Sequence, residues 1–254
     1  MFNHRLDQTP HLRVILHWFL LTFNAGSINA GGFLATGRFV SHVTGFATLF
    51  GVDLFNRELD AAIGILSVPF FFLLGAFLAG LFIDRPLHRG KKPHFDFVMG
   101  LASFCLFLAF LGGEFSQFGA FGAGFFKLKQ GYLLLALLCL ACGLQNGAIT
   151  SSSGSSVRTT HLTGLTTDLG LGLARLLSTD PKRAIFKKEV RANRLRCGSI
   201  IAFILGSAVG SWFFMKYGYR GFILSATLSA YMAWQGRKEK IKAHPETFLE
   251  EPVA

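Results

Sequence analysis

Two short stretches of this chain carry nearly the same polar residues in the same order: Ser41-His42-Val43-Thr44-Gly45 and Thr160-His161-Leu162-Thr163-Gly164, their histidines 119 positions apart. An imidazole with a hydroxyl two residues on can replace water as donor and acceptor, and the glycine beside them admits a close backbone approach. Read as helix, the spacing groups Thr44 with Thr48, and Thr160 with Thr163 and Thr167, on one face, while His161 and Asp168 stand seven residues apart on another. Three amides belong with this set, because Asn29, Gln145 and Asn146 stand inside otherwise apolar runs, where an amide needs a partner. The expected polar path for a small solute therefore comprises His42, Thr44, Gly45, Thr48, His161, Thr163, Gly164, Thr167 and Asp168, with Asn29, Gln145 and Asn146 serving as solute contacts or as inter-helix bonds. The alternative is that all these groups only bond neighbouring helices and nothing passes. Asp168 and Arg175, also seven apart, are expected to neutralise one another near an interface.

Other chemistries find little support. Cys139 and Cys142 are the only close cysteine pair, and no second pair or local histidine completes a zinc or redox site, so they read as small buried hydrophobes. One histidine per motif with threonine neighbours supplies too few metal ligands, and no metal or cofactor is expected. The run from Ser151 to Ser156 lacks the lysine and the strand of a phosphate loop and reads as a flexible connector. Neither a Gly-x-Ser-x-Gly elbow nor a His-Glu-x-x-His helix occurs.

The elements that must position the motifs follow from composition. Over 254 residues the chain is 51% hydrophobic and 15% charged, with 29 phenylalanines, well below the roughly 25% charge of a soluble domain. A bilayer core about 30 Å thick needs roughly 20 apolar residues of helix. Six charge-free runs near that length appear, at 14–36, 61–83, 97–113, 131–150, 197–215 and 221–235. Arg5 and Arg13 before the first run imitate a secretory signal, but that run continues through Ala25-Gly26-Ser27 and five more follow, so it reads as a span. The segments 39–56 and 159–177, which hold the repeated motifs, are less apolar.

Charge sets the topology. Seven basic residues against two acids lie between Ser178 and Arg196, and Arg85, Arg89, Lys91 and Lys92 lie between Asp84 and Asp96. Both segments are expected in the cytoplasm by the positive-inside rule. They share a side only if the segment 159–177 fails to cross, and the same parity puts the amino terminus inside if 39–56 also fails to cross. The halves then run in opposite directions. Gly26-Ser27-Ile28-Asn29-Ala30 aligns with Gly143-Leu144-Gln145-Asn146-Gly147, and Gly75, Ala76, Ala79 and Gly80 align with Gly206, Ser207, Gly210 and Ser211. The expected fold is an all-α integral membrane protein of about six transmembrane helices in two inverted repeats, 14–113 and 131–235, with a cytoplasmic tail at 236–254 and each HxTG segment re-entrant or interrupted. The net charge of +11 is explained by topology and by anionic lipid headgroups, so no nucleic acid is expected as partner.

GSINAGG, FVSHVTGFATLFG, GLQNG and VRTTHLTGLTTDLG together resemble the YoaK-type family of functionally uncharacterised six-span bacterial membrane proteins, over residues 14–235. The resemblance implies the fold class and a multi-pass place in the bacterial inner membrane, with both termini cytoplasmic, and supplies no substrate. The family pattern has Asn after the motif glycine, where Phe46 and Leu165 stand here. The leading expectation is a transporter or channel for a small solute, with an intramembrane enzyme or a non-transporting assembly protein as alternatives. Homo-oligomerisation stays open.

Overall fold

The computed structural model describes residues 11–56, 59–122, 128–153 and 159–242. Helix makes up 84% of the structure, and among the described residues there is no strand. The helices are α1 (Leu12–Thr36), α2 (Val43–Phe55), α3 (Leu59–Phe82), α4 (Asp84–His88), α5 (Phe95–Glu114), α6 (Leu128–Ser152), α7 (Leu162–Leu177), α8 (Ala184–Tyr217) and α9 (Phe222–Lys242). Among the described residues, four helical stretches are long and apolar enough to cross a bilayer: Gly64–His88, Phe95–Glu114, Gly131–Ser152 and Ala184–Lys240, the last joining α8 to α9 through the 3-10 turn Gly218–Gly221. Such stretches are compatible with a membrane protein. The two motif-bearing helices are the short ones. At 1.5 Å per residue, the 13 residues of α2 and the 16 of α7 span only about 20 and 24 Å.

Hydropathy locates apolar runs, not helix ends, and α8 shows the difference. The charge-free run places its start near residue 197, after the basic segment. Instead it begins at Ala184, so Lys187, Lys188, Arg191, Arg194 and Arg196 lie on its first turns. Lys, Arg, Glu and Ala are strong helix formers, and Glu189 bridges to Arg196 at 2.7 Å along the helix, so charge does not end it. Arg175 of α7 likewise pairs with Glu189, at 3.6 Å, and not with Asp168. Seven residues put an Asp and an Arg on one face two turns apart, while the neighbouring helix offers a nearer acid. For the same reason α9 runs on to Lys242, so the expected tail starts as helix; the rest of it lies outside the described residues.

Two crossings dominate the packing, α1 on α8 and α3 on α6, each joining the two halves of the sequence. They are built alike. A methyl group on Gly26 would overlap the Phe203 carbonyl of α8, and one on Gly206 would overlap the Phe23 carbonyl of α1. A methyl on Gly143 would overlap the Phe72 carbonyl of α3, and one on Gly75 the Leu140 carbonyl of α6. Backbone therefore lies on backbone, as small residues allow in lipid. The register gives direction: Phe19 packs by Gly198 and Ser27 by Gly210, so α1 and α8 run parallel, while Thr36 by Gly131 and Leu21 by Gln145 make α1 and α6 antiparallel.

A buried polar node ties the centre. The Asn24 amide donates to Gln145 Oε1 at 3.2 Å, to the Ser225 carbonyl at 3.3 Å and to Ser229 Oγ at 3.0 Å, and Gln145 donates to the Leu21 carbonyl, so one amide pair joins α1, α6 and α9. At one end of the bundle Lys240 of α9 reaches His94 Nδ1 at 2.7 Å and Asp96 at 3.3 Å. With α1 parallel to α8, both basic segments sit at this end. At the other end Arg220 holds Glu114 at 2.9 Å, and that carboxylate raises the guanidinium pKa further.

Because helix backbone cannot yield as a flexible side chain does, Gly143→Ala and Gly206→Ala are each expected to lower stability by about 1–3 kcal/mol, as overpacking does. Gly100→Ala, where a methyl meets nothing within 4 Å, serves as the control. Thermal unfolding of purified protein in detergent measures all three, and equal melting temperatures would refute backbone contact at the crossings.

Candidate functional site

The residues just before each motif lie against the helix that precedes it. Gly37 caps α1 in the left-handed conformation (φ 71°), its amide bonding the Phe33 carbonyl, and the chain then descends beside α1. Val40 seats against Gly32, its carbonyl accepting from the Cys139 thiol at 3.1 Å, and Asn29 Oδ1 accepts from the amide and hydroxyl of Ser41 at 3.4 and 3.1 Å. The second half repeats the device, with Asn146 Oδ1 accepting from Thr159 Oγ1 at 3.2 Å. The amides at matched places thus hold the lead-in to each motif against its preceding helix.

His42 and His161 are the N-cap residues of α2 and α7, with similar backbone angles (φ −99°, ψ 74° and φ −96°, ψ 60°), and neither imidazole caps its helix by a hydrogen bond. Each ring folds back over the first turn. A methyl on Gly45 would lie 2.7 Å from His42 Nδ1, and one on Gly164 would overlap the His161 ring. The motif glycine therefore makes room for its own histidine. Directly after each glycine, Phe46 and Leu165 are the side chains that anchor these helices, 3% and 5% exposed. That explains an apolar residue after the glycine in each copy.

The two motifs border one space. A half-open cavity of about 600 Å³ is lined by His42 and Thr44 from one and by His161 and Thr163 from the other. Ser41 and Thr160, each just before its histidine, line it too. Its walls are Phe72, Ala76 and Gly80 on successive turns of α3, and Asn146, Gly147 and Thr150 on the last turns of α6. Those turns lead toward the basic end, where Asp84 stands on the cavity wall.

Not every expected residue is there. Gln145 is 1% exposed and bonded inside the amide node, and Asn29 holds Ser41; neither lines the cavity. Thr48 and Thr167 are exposed and donate to the carbonyls of Thr44 and Thr163, at 3.1 and 2.9 Å, so the threonine stripe leaves the cavity after the first turn. Asp168 is exposed on the outer surface of α7. Thr160 precedes α7 and shares no helix face with Thr163, yet both reach the cavity. Gly45 lines a second, smaller cavity of about 220 Å³, and Gly164 lies beneath His161. The serine connector is only partly described: Ser151 and Ser152 end α6, and 154–158 lie outside the described residues.

Sequence reasoning missed Asn24, Asp84, Thr150, Arg38 and Phe39. Asn24 carried the same signal as Asn29, an amide in an apolar run, but fell outside the aligned repeat. The others lie at helix ends, and only the turn geometry brings them to the cavities. Among the described residues no group of three or more His, Cys, Asp or Glu side chains gathers to hold a metal.

Replacing Gly164 or Gly45 by Ala is expected to swing the neighbouring imidazole off its helix. The ring carbon shifts of isotope-labelled histidine should change for His161 in Gly164→Ala and for His42 in Gly45→Ala, each variant sparing the other ring; unchanged spectra would remove the glycine's stated role.

No curated protein and no solved structure matches the chain. A family model described as a protein of unknown function, DUF1275, matches residues 17–234, the whole bundle from the first turns of α1 to the middle of α9. The chain belongs to the DUF1275 family.

Proposed function

We propose that this DUF1275 protein moves a small polar solute across the bacterial cytoplasmic membrane through a central site made by the two HxTG motifs. The observation that carries the reading is that His42, Thr44, His161 and Thr163, from stretches far apart in sequence, line one cavity. Imidazoles and hydroxyls can replace a solute's water, and polar groups at membrane depth are tolerated where they face such a cavity.

The architecture behind this reading is six spans, α1, α3, α5, α6, α8 and α9, in two inverted repeats, with α2 and α7 entering without crossing. Its support is the matched pair of glycine crossings, the matched asparagine ties, the antiparallel run of α1 and α6, and the shortness of α2 and α7. Repeats of this kind place solute sites near the midplane where interrupted helices meet, and the N-termini of α2 and α7 both face the cavity. The basic segments at one end make that end cytoplasmic, with both termini on that side. Anionic headgroups are the natural partners of those charges. The enzyme alternative gains no support from the cavity's hydrogen bonds: Ser41 donates its hydroxyl to Asn29 Oδ1 and Ser151 to the Gly147 carbonyl, so neither is bonded to an imidazole that would activate it as a nucleophile.

Flux into proteoliposomes, screened over small polar solutes, tests the function. Thr44→Val and Thr163→Val are each expected to reduce flux of the responding solute several-fold and to similar extents, because each removes one hydroxyl from the same cavity. Normal flux in the double variant would leave the motifs structural. Orientation is tested separately: Lys92→Cys and Lys187→Cys should both resist an impermeant thiol reagent in intact cells and react once the membrane is opened. Labelling of one alone in intact cells would overturn the topology.

A further inference from the structure

We propose that the His42 imidazole, backed by Phe39 and Phe33, is the partition between two chambers of a single path, and so the residue at which passage is opened or refused. The inference rests on the solute-path reading above and names its constriction. The central cavity runs from the motifs toward the basic end, along α3 and the last turns of α6. The second cavity, of about 220 Å³, lies on the other side of His42, bounded by Arg38 and Phe39 of the α1–α2 connection and by Gly45, Phe46 and Leu49 of α2. Among the described residues, His42 is the one that lines both.

The ring's position is set from two directions. Gly45 leaves the space into which the imidazole folds, and Phe39 stands edge-on to it with centroids 6.3 Å apart at 74°. Phe39 is itself stacked on Phe33, at 4.5 Å and 13°, so the wall behind the imidazole is two aromatic rings deep. With the offset that aligns Gly26 with Gly143 and Asn29 with Asn146, Phe33 corresponds to Thr150, a residue of the open cavity. One half thus presents aromatic rings where the other presents a hydroxyl. The path is open at the basic end and shut at His42, and a rotation of one side chain on a helix's N-cap residue joins the chambers.

Sidedness of thiol labelling tests this without knowing the solute. In oriented proteoliposomes, with labelling of the unsubstituted protein subtracted, Thr163→Cys reports the central chamber and Leu49→Cys the smaller one. Thr163→Cys is expected to react with an impermeant thiol reagent from the basic end only, and Leu49→Cys from the opposite end only. Adding His42→Ala should raise labelling from the formerly silent side at least tenfold in both, while His42→Phe, which keeps a ring in place, should leave sidedness intact. Labelling of both cysteines from one side, unchanged sidedness in His42→Ala, or equal leakage in His42→Phe would each overturn the partition. Should His42→Ala fail to fold, Gly45→Ala displaces the same ring and is read the same way. Preserved sidedness with no flux of any solute would refute the transport reading and leave the partition standing.

Discussion

A helix immersed in lipid gains nothing by burying apolar side chains against another helix, since the tails around it are equally apolar; what holds it is how closely atoms can pack and which polar groups find partners. Here the closest packing is backbone on backbone at Gly26 and Gly206, and again at Gly75 and Gly143. These crossings set the distance between α1 and α8 and between α3 and α6. The rest depends on that distance. Gln145 of α6 reaches Asn24 and the Leu21 carbonyl of α1 only because the helix pairs stand as near as they do, and the wall of the central cavity is the α3–α6 pair extended toward the basic end.

Within this frame the polar residues divide into those that hold the chain and those whose side chains are left free of such bonds. Asn29 and Asn146 spend their carbonyl oxygens on Ser41 and Thr159, which brings each returning chain to its motif at a fixed depth. Val40 fills the notch at Gly32, and Phe46 and Leu165 anchor the short helices. The histidines are spared such duties. As N-cap residues that do not cap, they stand at the start of a helix with the ring supported by a glycine and the polar edge unspent. An HxTG sequence is thus a way to hold an imidazole firmly without consuming its hydrogen bonds.

Much of this was legible in the sequence because it is written in spacing. The long helices follow from uncharged run length, and the glycines that align between the halves are the ones that make matched crossings. The cavity residues His42, Thr44, His161 and Thr163 follow from a five-residue repeat. What could not be read was which side of a helix a polar group faces. Gln145 and Asn146 are neighbours in one aligned stretch, yet a 100° step turns the first into the amide node and the second to the cavity. Thr48 and Thr167 share a face with the motif threonines, but the face leaves the cavity within one turn. The charged start of α8 was lost for another reason, since hydropathy reports solvent preference and Lys and Glu favour helix as well as water.

In the proposed inverted repeat the halves are alike in backbone plan and unlike in side chain, and the difference falls where such a repeat most needs one. Two identical halves related by an axis in the membrane plane would give two identical half-paths, so any closure on one side would be offered equally on the other. A single resting state then has to come from broken symmetry in conformation, in sequence or in both. In this chain sequence contributes: Phe33 stacks with Phe39 at one end, and Thr150 borders open space at the other. Aromatic rings close a passage by excluding water, a state that needs no bound solute to persist, whereas a hydroxyl-lined end is wetted. In the proposed path, the side of the molecule remote from the basic segments is therefore the one closed at rest. Opening it costs the stacking of two rings and the turning of one imidazole, contacts worth about 0.5–1.5 kcal/mol for an aromatic pair. A gate of that strength, as proposed for His42, is one that the binding energy of a small polar solute could shift.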